Sequence, residues 1–170
     1  MTIHEDHPFI PPEGDRDAVR RLRGRLAAPV TVWAAGTGRD RVGLTVSSLL
    51  IADGDPAYVF GLIDEDSGFA DARPDRFTVN ILAEQHRYLA DAFAGQAPAP
   101  GGVFRLGEWT DSSWGPVLQG SCGWFGVERD SSASEPDQYL GWALAVTGVI
   151  ADIHLNDIDG LIHQRGRYRT

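Results

Sequence analysis

The sequence contains no lysine: all 15 of its basic residues are arginine. Its positive charge is therefore carried entirely by planar, permanently ionised guanidinium groups, which suit bidentate contacts to anions. There is one cysteine, Cys122, and this excludes an internal disulfide framework. Its place in the pattern fits a small core residue. No apolar run approaches the length of a membrane-spanning helix, and the polar opening "MTIHEDHPF" does not have the form of a signal peptide. The net charge of −9 argues against sequence-independent nucleic-acid binding. Hydrolase and metalloprotease signatures (G-x-S-x-G, H-E-x-x-H), paired cysteines and a Walker loop are all missing. "GTGRDRVG" (36–43) has some of the glycines of a dinucleotide-binding turn. No ~30-residue βαβ unit surrounds it, so it is a hairpin turn. These absences leave a cytoplasmic enzyme or binding protein with no metal site and no catalytic triad.

What is present is a single domain's worth of chain, 170 residues of which 42% are apolar. Residues 1–14, with Pro8, Pro11, Pro12 and Gly14, form an extended arm; residues 15–170 form the domain. Asp15 or Asp17 can cap a helix reaching Leu26, with Val19, Leu22 and Leu26 on one stripe. "VTVWAAG" (30–36) and "RVGLTVSSLL" (41–50) are the strands of a hairpin. A strand over 57–64 and a short helix over 67–75 follow. In the strand 76–83, Phe77, Val79 and Ile81 face one side and Thr78, Asn80 and Leu82 the other. A helix over 84–95 ends at Gly95. Residues 117–130 give two short strands or one bent one, 138–155 one long bent strand, and 160–170 a last strand with a basic tail. Many strands with few helices predict a mainly β, α+β architecture: a β-barrel decorated by short helices.

Three hydroxyls crowd the strand 41–50. Side chains alternate in a strand, so Thr45 and Ser47 share one face while Ser48 lies on the other. If all three serve one ligand, the strand ends or bulges near Ser47. Ser67 opens a short helix, and Asn80 interrupts an apolar strand with a side chain that both donates and accepts. Such neutral groups suit a polar ligand with a phosphate, a sugar-like chain and an amide-rich ring.

In this order the motifs resemble the flavin reductase-like family, the small NAD(P)H:flavin oxidoreductases that partner two-component monooxygenases. "RLRGRLAAPVTVWAAG" is similar to the family's R-x-x-x-G-x-V-T-V-V-T, and "GLTVSSLL" to its G-M-T-A-S-S-F. "RFTVNILAEQHRYLADAFAG" resembles F-x-V-N-x-L-x-x-x-Q-x-x-L-A-x-x-F-A-G, and "IHQRGRYRT" resembles the ending Y-H-R-G-R-Y-R. The resemblance covers about residues 18–170.

It implies an FMN-binding split β-barrel that forms a homodimer, with FMN or FAD near the subunit interface and NADH or NADPH as electron donor. Flavin contacts then fall on Thr45, Val46, Ser47, Ser48 and Leu49, on Ser67, Gly68 and Phe69 near the phosphate, and on Asn80. His163, Arg165 and Tyr168 fall near the nicotinamide nucleotide. Hydride moves from nicotinamide C4 to flavin N5, so the cofactor carries the chemistry. His163 is the single candidate to polarise the nicotinamide side. The reduced flavin would pass to a partner monooxygenase.

Two of the chain's departures from the family bear on the site. Asp64, Glu65 and Asp66 precede Ser67 where the phosphate is expected, and Gly68 stands where a basic residue is usual. A histidine usual before the late long strand is replaced by Gln138 or Trp142. Both departures suit an alternative, a flavin carrier that does not oxidise NAD(P)H efficiently. A relative of pyridoxamine phosphate oxidases would need a phosphate site rich in arginine and lysine, and the absence of lysine places that reading last.

Overall fold

The computed structural model describes residues 18–130 and 138–170. The expected N-terminal arm, the Asp15 or Asp17 cap and the turn at 131–137 lie outside them. The fold is mixed α/β: short helices and a curled antiparallel sheet. Strands β2 (Thr31–Ala35) and β3 (Val42–Val46) form the first hairpin, followed by β4 (Leu49–Ala52), β5 (Tyr58–Asp64) and β6 (Arg76–Ile81). Later come β7 (Trp109–Asp111), β8 (Pro116–Leu118), β9 (Gly123–Arg129), β10 (Gln138–Leu140) and β11 (Ala143–Leu155). The main sheet runs β3-β2-β6-β9-β11-β5-β4, with β10 also paired to β11. β3 and β4 therefore stand at opposite edges, yet only Ser47 and Ser48 separate them in sequence. Two residues span at most about 7 Å more than one Cα step. The sheet must curl until its edges meet, which makes it a half-barrel.

Alternation decides what fills the curl. In register, Leu44, Trp33, Val79 and Phe125 lie side by side and face inward. Trp33 stacks on Phe77 at 5.0 Å between centroids, and Phe69 meets Phe77 edge-on at 5.3 Å. All three rings are essentially inaccessible. Burying each is worth roughly 1.5–3 kcal/mol. Gly61 faces the same indole, and a Cβ there would lie 2.4 Å from the Trp33 ring. Glycine at 61 is thus what lets β5 close over Trp33.

The outer face carries the second core. Val30, Val32, Ala34 and Leu82 pack with Leu89, Ala90 and Phe93 of α3 (Arg87–Phe93), and with Leu118 and Leu161. A small sheet of β1 (Ala28–Pro29), β12 (Ile162–Gln164) and β13 (Arg167–Arg169) closes the chain. Helix α2 (Gly68–Ala72) sends Phe69 and Ala70 into the inner core.

Several boundaries differ from the sequence expectation. The helix expected over 84–95 is a 3-10 turn at Glu84–His86 leading into α3, because the His86 Nδ1 accepts from the Ala83 N–H and fixes a tight start. The long strand 138–155 is broken by a turn at Gly141, whose φ is +64°, and bulges between Ala151 and Ile153, where Asp152 takes φ +50°. The C-terminal strand is a hairpin turned by Arg165 and Gly166, both at positive φ. The 117–130 segment resolves into two strands, β8 and β9. Helix α1 (Ala18–Arg25) forms, but its apolar stripe is exposed rather than packed.

Candidate functional site

The strand break expected near Ser47 is present. β3 ends at Val46, and β4 starts at Leu49 on a new partner, β5. Ser47 is exposed and Ser48 half-buried. The Ser48 carbonyl accepts from the Leu62 N–H at 2.9 Å and holds the link against β5. Among the described residues, neither serine hydroxyl and neither N–H forms a hydrogen bond. Four neutral donors thus sit on two consecutive residues that the ladder has released.

The neighbours on either side are used differently from the expectation. Thr45 faces α3, and its hydroxyl donates to the Ala90 carbonyl at 2.7 Å. The Val46 side chain is buried, its carbonyl accepting from the Thr31 hydroxyl at 2.6 Å; Leu49 packs on the inner core. Any ligand contact from Val46 or Leu49 must therefore use the backbone. The same holds for Phe69, whose ring lies in the core against Trp33 and Phe77.

Asn80, expected to contact the ligand, is fully buried. Its Nδ2 donates to the carbonyls of Val32 and Pro116 at 3.3 and 3.2 Å and to the Thr78 hydroxyl at 3.1 Å. Its Oδ1 accepts from the Leu118 N–H at 2.9 Å. Its amide clamps β8 onto β6 and β2.

Ser67 caps α2. Its hydroxyl donates to the Asp64 carbonyl at 2.7 Å and accepts from the Ala70 N–H at 3.1 Å. Gly68 is exposed beside it. The acidic residues 64–66 are all exposed, and the Asp64 carboxylate accepts from the Asp66 N–H at 3.0 Å. β5 joins this corner to the serine link, since Leu62 bonds Ser48.

The third group lies across α3. His163 and Tyr168 are register partners on β12 and β13, with ring centroids 5.3 Å apart. The Tyr168 hydroxyl donates to the Asp91 carboxylate. Burial, and then the bond to Asp91, push the Tyr168 hydroxyl well above its ordinary range. Burial lowers the His163 imidazole, which Asp91 partly offsets and Arg23 reinforces. Arg165 is exposed at the hairpin turn, where its N–H donates to the Gly24 carbonyl at 2.7 Å.

The structure thus brings the Thr45 and Tyr168 groups onto consecutive residues of α3, Ala90 and Asp91. Asp91 was not visible in the sequence: it occupies a helix position with no pattern of its own, and its partner is 77 residues away. A groove of about 400 Å³ bordered by Ala28, Pro29, Ile81, Gly160 and Ile162 is apolar and contains none of the expected contact residues.

The profile of the family described as "Flavin reductase like domain" matches residues 23–170. The chain belongs to that family, the split-barrel flavin reductase-like proteins. It is 30% identical over 113 residues to the FMN reductase (NADH) RutF of Ancylobacter novellus, a match spanning 65% of this chain and 62% of that protein. It is 27% identical over 164 residues to the NADH-dependent FMN reductase AsuE2 of Streptomyces nodosus subsp. asukaensis, spanning 93% of this chain and 86% of that one. In fold it is similar to the NADH:FAD oxidoreductase SgcE6 of Streptomyces globisporus. The TM-score is 0.78 at 20% identity, with 95% of each chain covered.

Proposed function

We propose that this protein is an NAD(P)H-dependent flavin reductase, working as a homodimer in the cytoplasm and supplying reduced FMN or FAD to a partner monooxygenase. The observation that carries the reading is the Ser47–Ser48 link. It presents unpartnered hydroxyls and N–H groups at the break between two strands, within a fold whose matched relatives are named for flavin reduction. Both named relatives use NADH, which favours NADH as the donor here.

The donor set fits a flavin. An isoalloxazine ring and ribityl chain present carbonyls, ring nitrogens and hydroxyls, and neutral donors satisfy these without burying a charge. When bound, the flavin supplies the hydride-accepting chemistry. The protein's task is positioning and water exclusion. Ser47, Ser48 and the backbone of Val46 and Leu49 would hold the flavin, with the backbone of Gly68 and Phe69 beside its chain. His163, Arg165 and Tyr168 would face the nicotinamide nucleotide. His163 is held largely neutral by burial, so at neutral pH it can orient a carboxamide without adding charge.

A second reading rests on two observations. Trp142 stands at the β10–β11 turn, 88% exposed, and acidic residues precede Ser67. These favour a flavin carrier with weak nicotinamide oxidation. An absorbance spectrum of purified protein with added FMN or FAD, followed by anaerobic NADH or NADPH, separates the two. Bleaching of the flavin band at catalytic protein concentration supports the reductase. Tight flavin binding without bleaching above the protein-free rate supports the carrier. Failure to bind either flavin removes both.

A further inference from the structure

We propose that helix α1 of each subunit docks on the β10–β11 tip of a second copy of this chain, so that two reciprocal contacts build the homodimer. The inference takes the homodimer from the functional reading and assigns its surfaces. It is tested without flavin, so its failure leaves the reductase reading standing.

The first observation is a helix whose apolar stripe is exposed. None of the eight residues of α1 is buried, and Val19, Leu22 and Leu26 are 73, 64 and 63% exposed. Among the described residues, two bonds hold its C-terminal end: the Gly24 carbonyl accepts from the Arg165 N–H, and the Arg25 carbonyl from the Gln164 side chain. Helices shorter than ~12–15 residues are marginal in water unless an apolar face is packed. The stripe Val19–Leu22–Leu26 is such a face, and Arg21 and Arg25 flank Leu22 along a shallow groove.

The second observation is a surface that is likewise apolar and of opposite charge. Trp142 is 88% exposed at the hairpin turn, with Tyr139 and Leu140 at 59 and 45%. Leu140 pairs with Ala143, which pairs with Asp64, so this apolar tip adjoins the acidic run of Asp64, Glu65 and Asp66. One surface is apolar edged with guanidinium, the other apolar edged with carboxylate. A two-fold axis repeats their contact twice, which is how a small patch reaches the area a stable dimer needs. Tryptophan and arginine are the residues that most often carry such contacts, and guanidinium groups stack on indole faces. The complementarity also selects the occupant. A chain of net charge −9 repels its copies unless basic ground meets acidic ground, and α1 is where arginine is densest.

Sedimentation velocity decides the matter. The wild type is expected to be a dimer. Leu22→Asp and Trp142→Ser, both at exposed positions, should each weaken it by about 30-fold or more. Arg21→Glu with Arg25→Glu should weaken it as well, and adding Glu65→Arg with Asp66→Arg should restore it. Circular dichroism checks that each variant is folded. A monomeric wild type overturns the proposal. So does a dimer indifferent to Leu22→Asp and Trp142→Ser, or a charge reversal that its counterpart fails to rescue.

Discussion

The Tyr168 hydroxyl donates to the carboxylate of Asp91, and this one bond fastens β13 to α3. It also joins the C-terminal hairpin to the helix whose preceding residue, Ala90, receives the Thr45 hydroxyl. Tyr168→Phe leaves Asp91 without its donor. The expected loss is about 1–2 kcal/mol of stability, the usual range for a half-buried bond to a charged acceptor. The bond has a pH signature. Tyr168 titrates above its ordinary value of 10.0 in the folded chain. Its contribution is complete below that value and is lost as pH rises above it, because the unfolded chain releases the proton first. Urea titrations at about pH 8 and about pH 11 should show an alkaline loss that is smaller in the Phe variant.

His163 should act at the opposite end of the scale. Its folded pKa lies below the ordinary 6.5, through burial and the Arg23 charge, with Asp91 pulling the other way. The associated stability is present above 6.5 and is lost as pH falls through the lowered value. Replacing His163 by Gln should flatten the acid limb of the stability profile between about pH 7 and pH 5, measured by thermal melts.

Asn80 and the Ser47–Ser48 pair should separate folding from binding. Asn80→Ala removes four buried hydrogen-bond contacts and leaves the Leu118 N–H and Pro116 carbonyl without that partner. It should cost about 3 kcal/mol or more in chemical denaturation. The double change Ser47→Ala and Ser48→Ala should move stability by less than about 0.5 kcal/mol. It should weaken flavin binding by roughly 10-fold, read as quenching of flavin fluorescence.

Gly61 and Trp33 should behave as one unit. Gly61→Ala places a methyl 2.4 Å from the indole of a fully buried ring and should destabilise by about 1–3 kcal/mol. In Trp33→Phe the smaller ring makes room, and the same alanine should cost measurably less. Additive costs in that double-mutant cycle would contradict the packing described.

Much of this fold was legible because strand alternation is a local signal. Phe77, Val79 and Ile81 face inward and Thr78, Asn80 and Leu82 outward, as period two requires. The break at Ser47 was legible for the same reason, since three hydroxyls on two faces cannot serve one ligand from a straight strand. The clamp made by Asn80 was not legible, because its partners, Val32, Pro116 and Leu118, are 36 to 48 residues distant. A buried polar side chain looks the same in sequence whether it faces a ligand or a neighbouring strand. The bulge at Asp152 left no signature either. It is a backbone excursion by a residue that sequence places equally well in a regular strand.

The serine link has a consequence for how the gene can tolerate change. Turns at the ends of hairpins usually accept extra residues, because the strands they join are already neighbours. Ser47 and Ser48 join the first and last strands of the sheet, so their length sets the circumference of the half-barrel. One inserted residue there would let the two rims drift apart, whereas the same insertion at the Gly38–Asp40 turn would only lengthen a surface loop. A two-residue connection between opposite edges is therefore one whose length evolution has little freedom to alter.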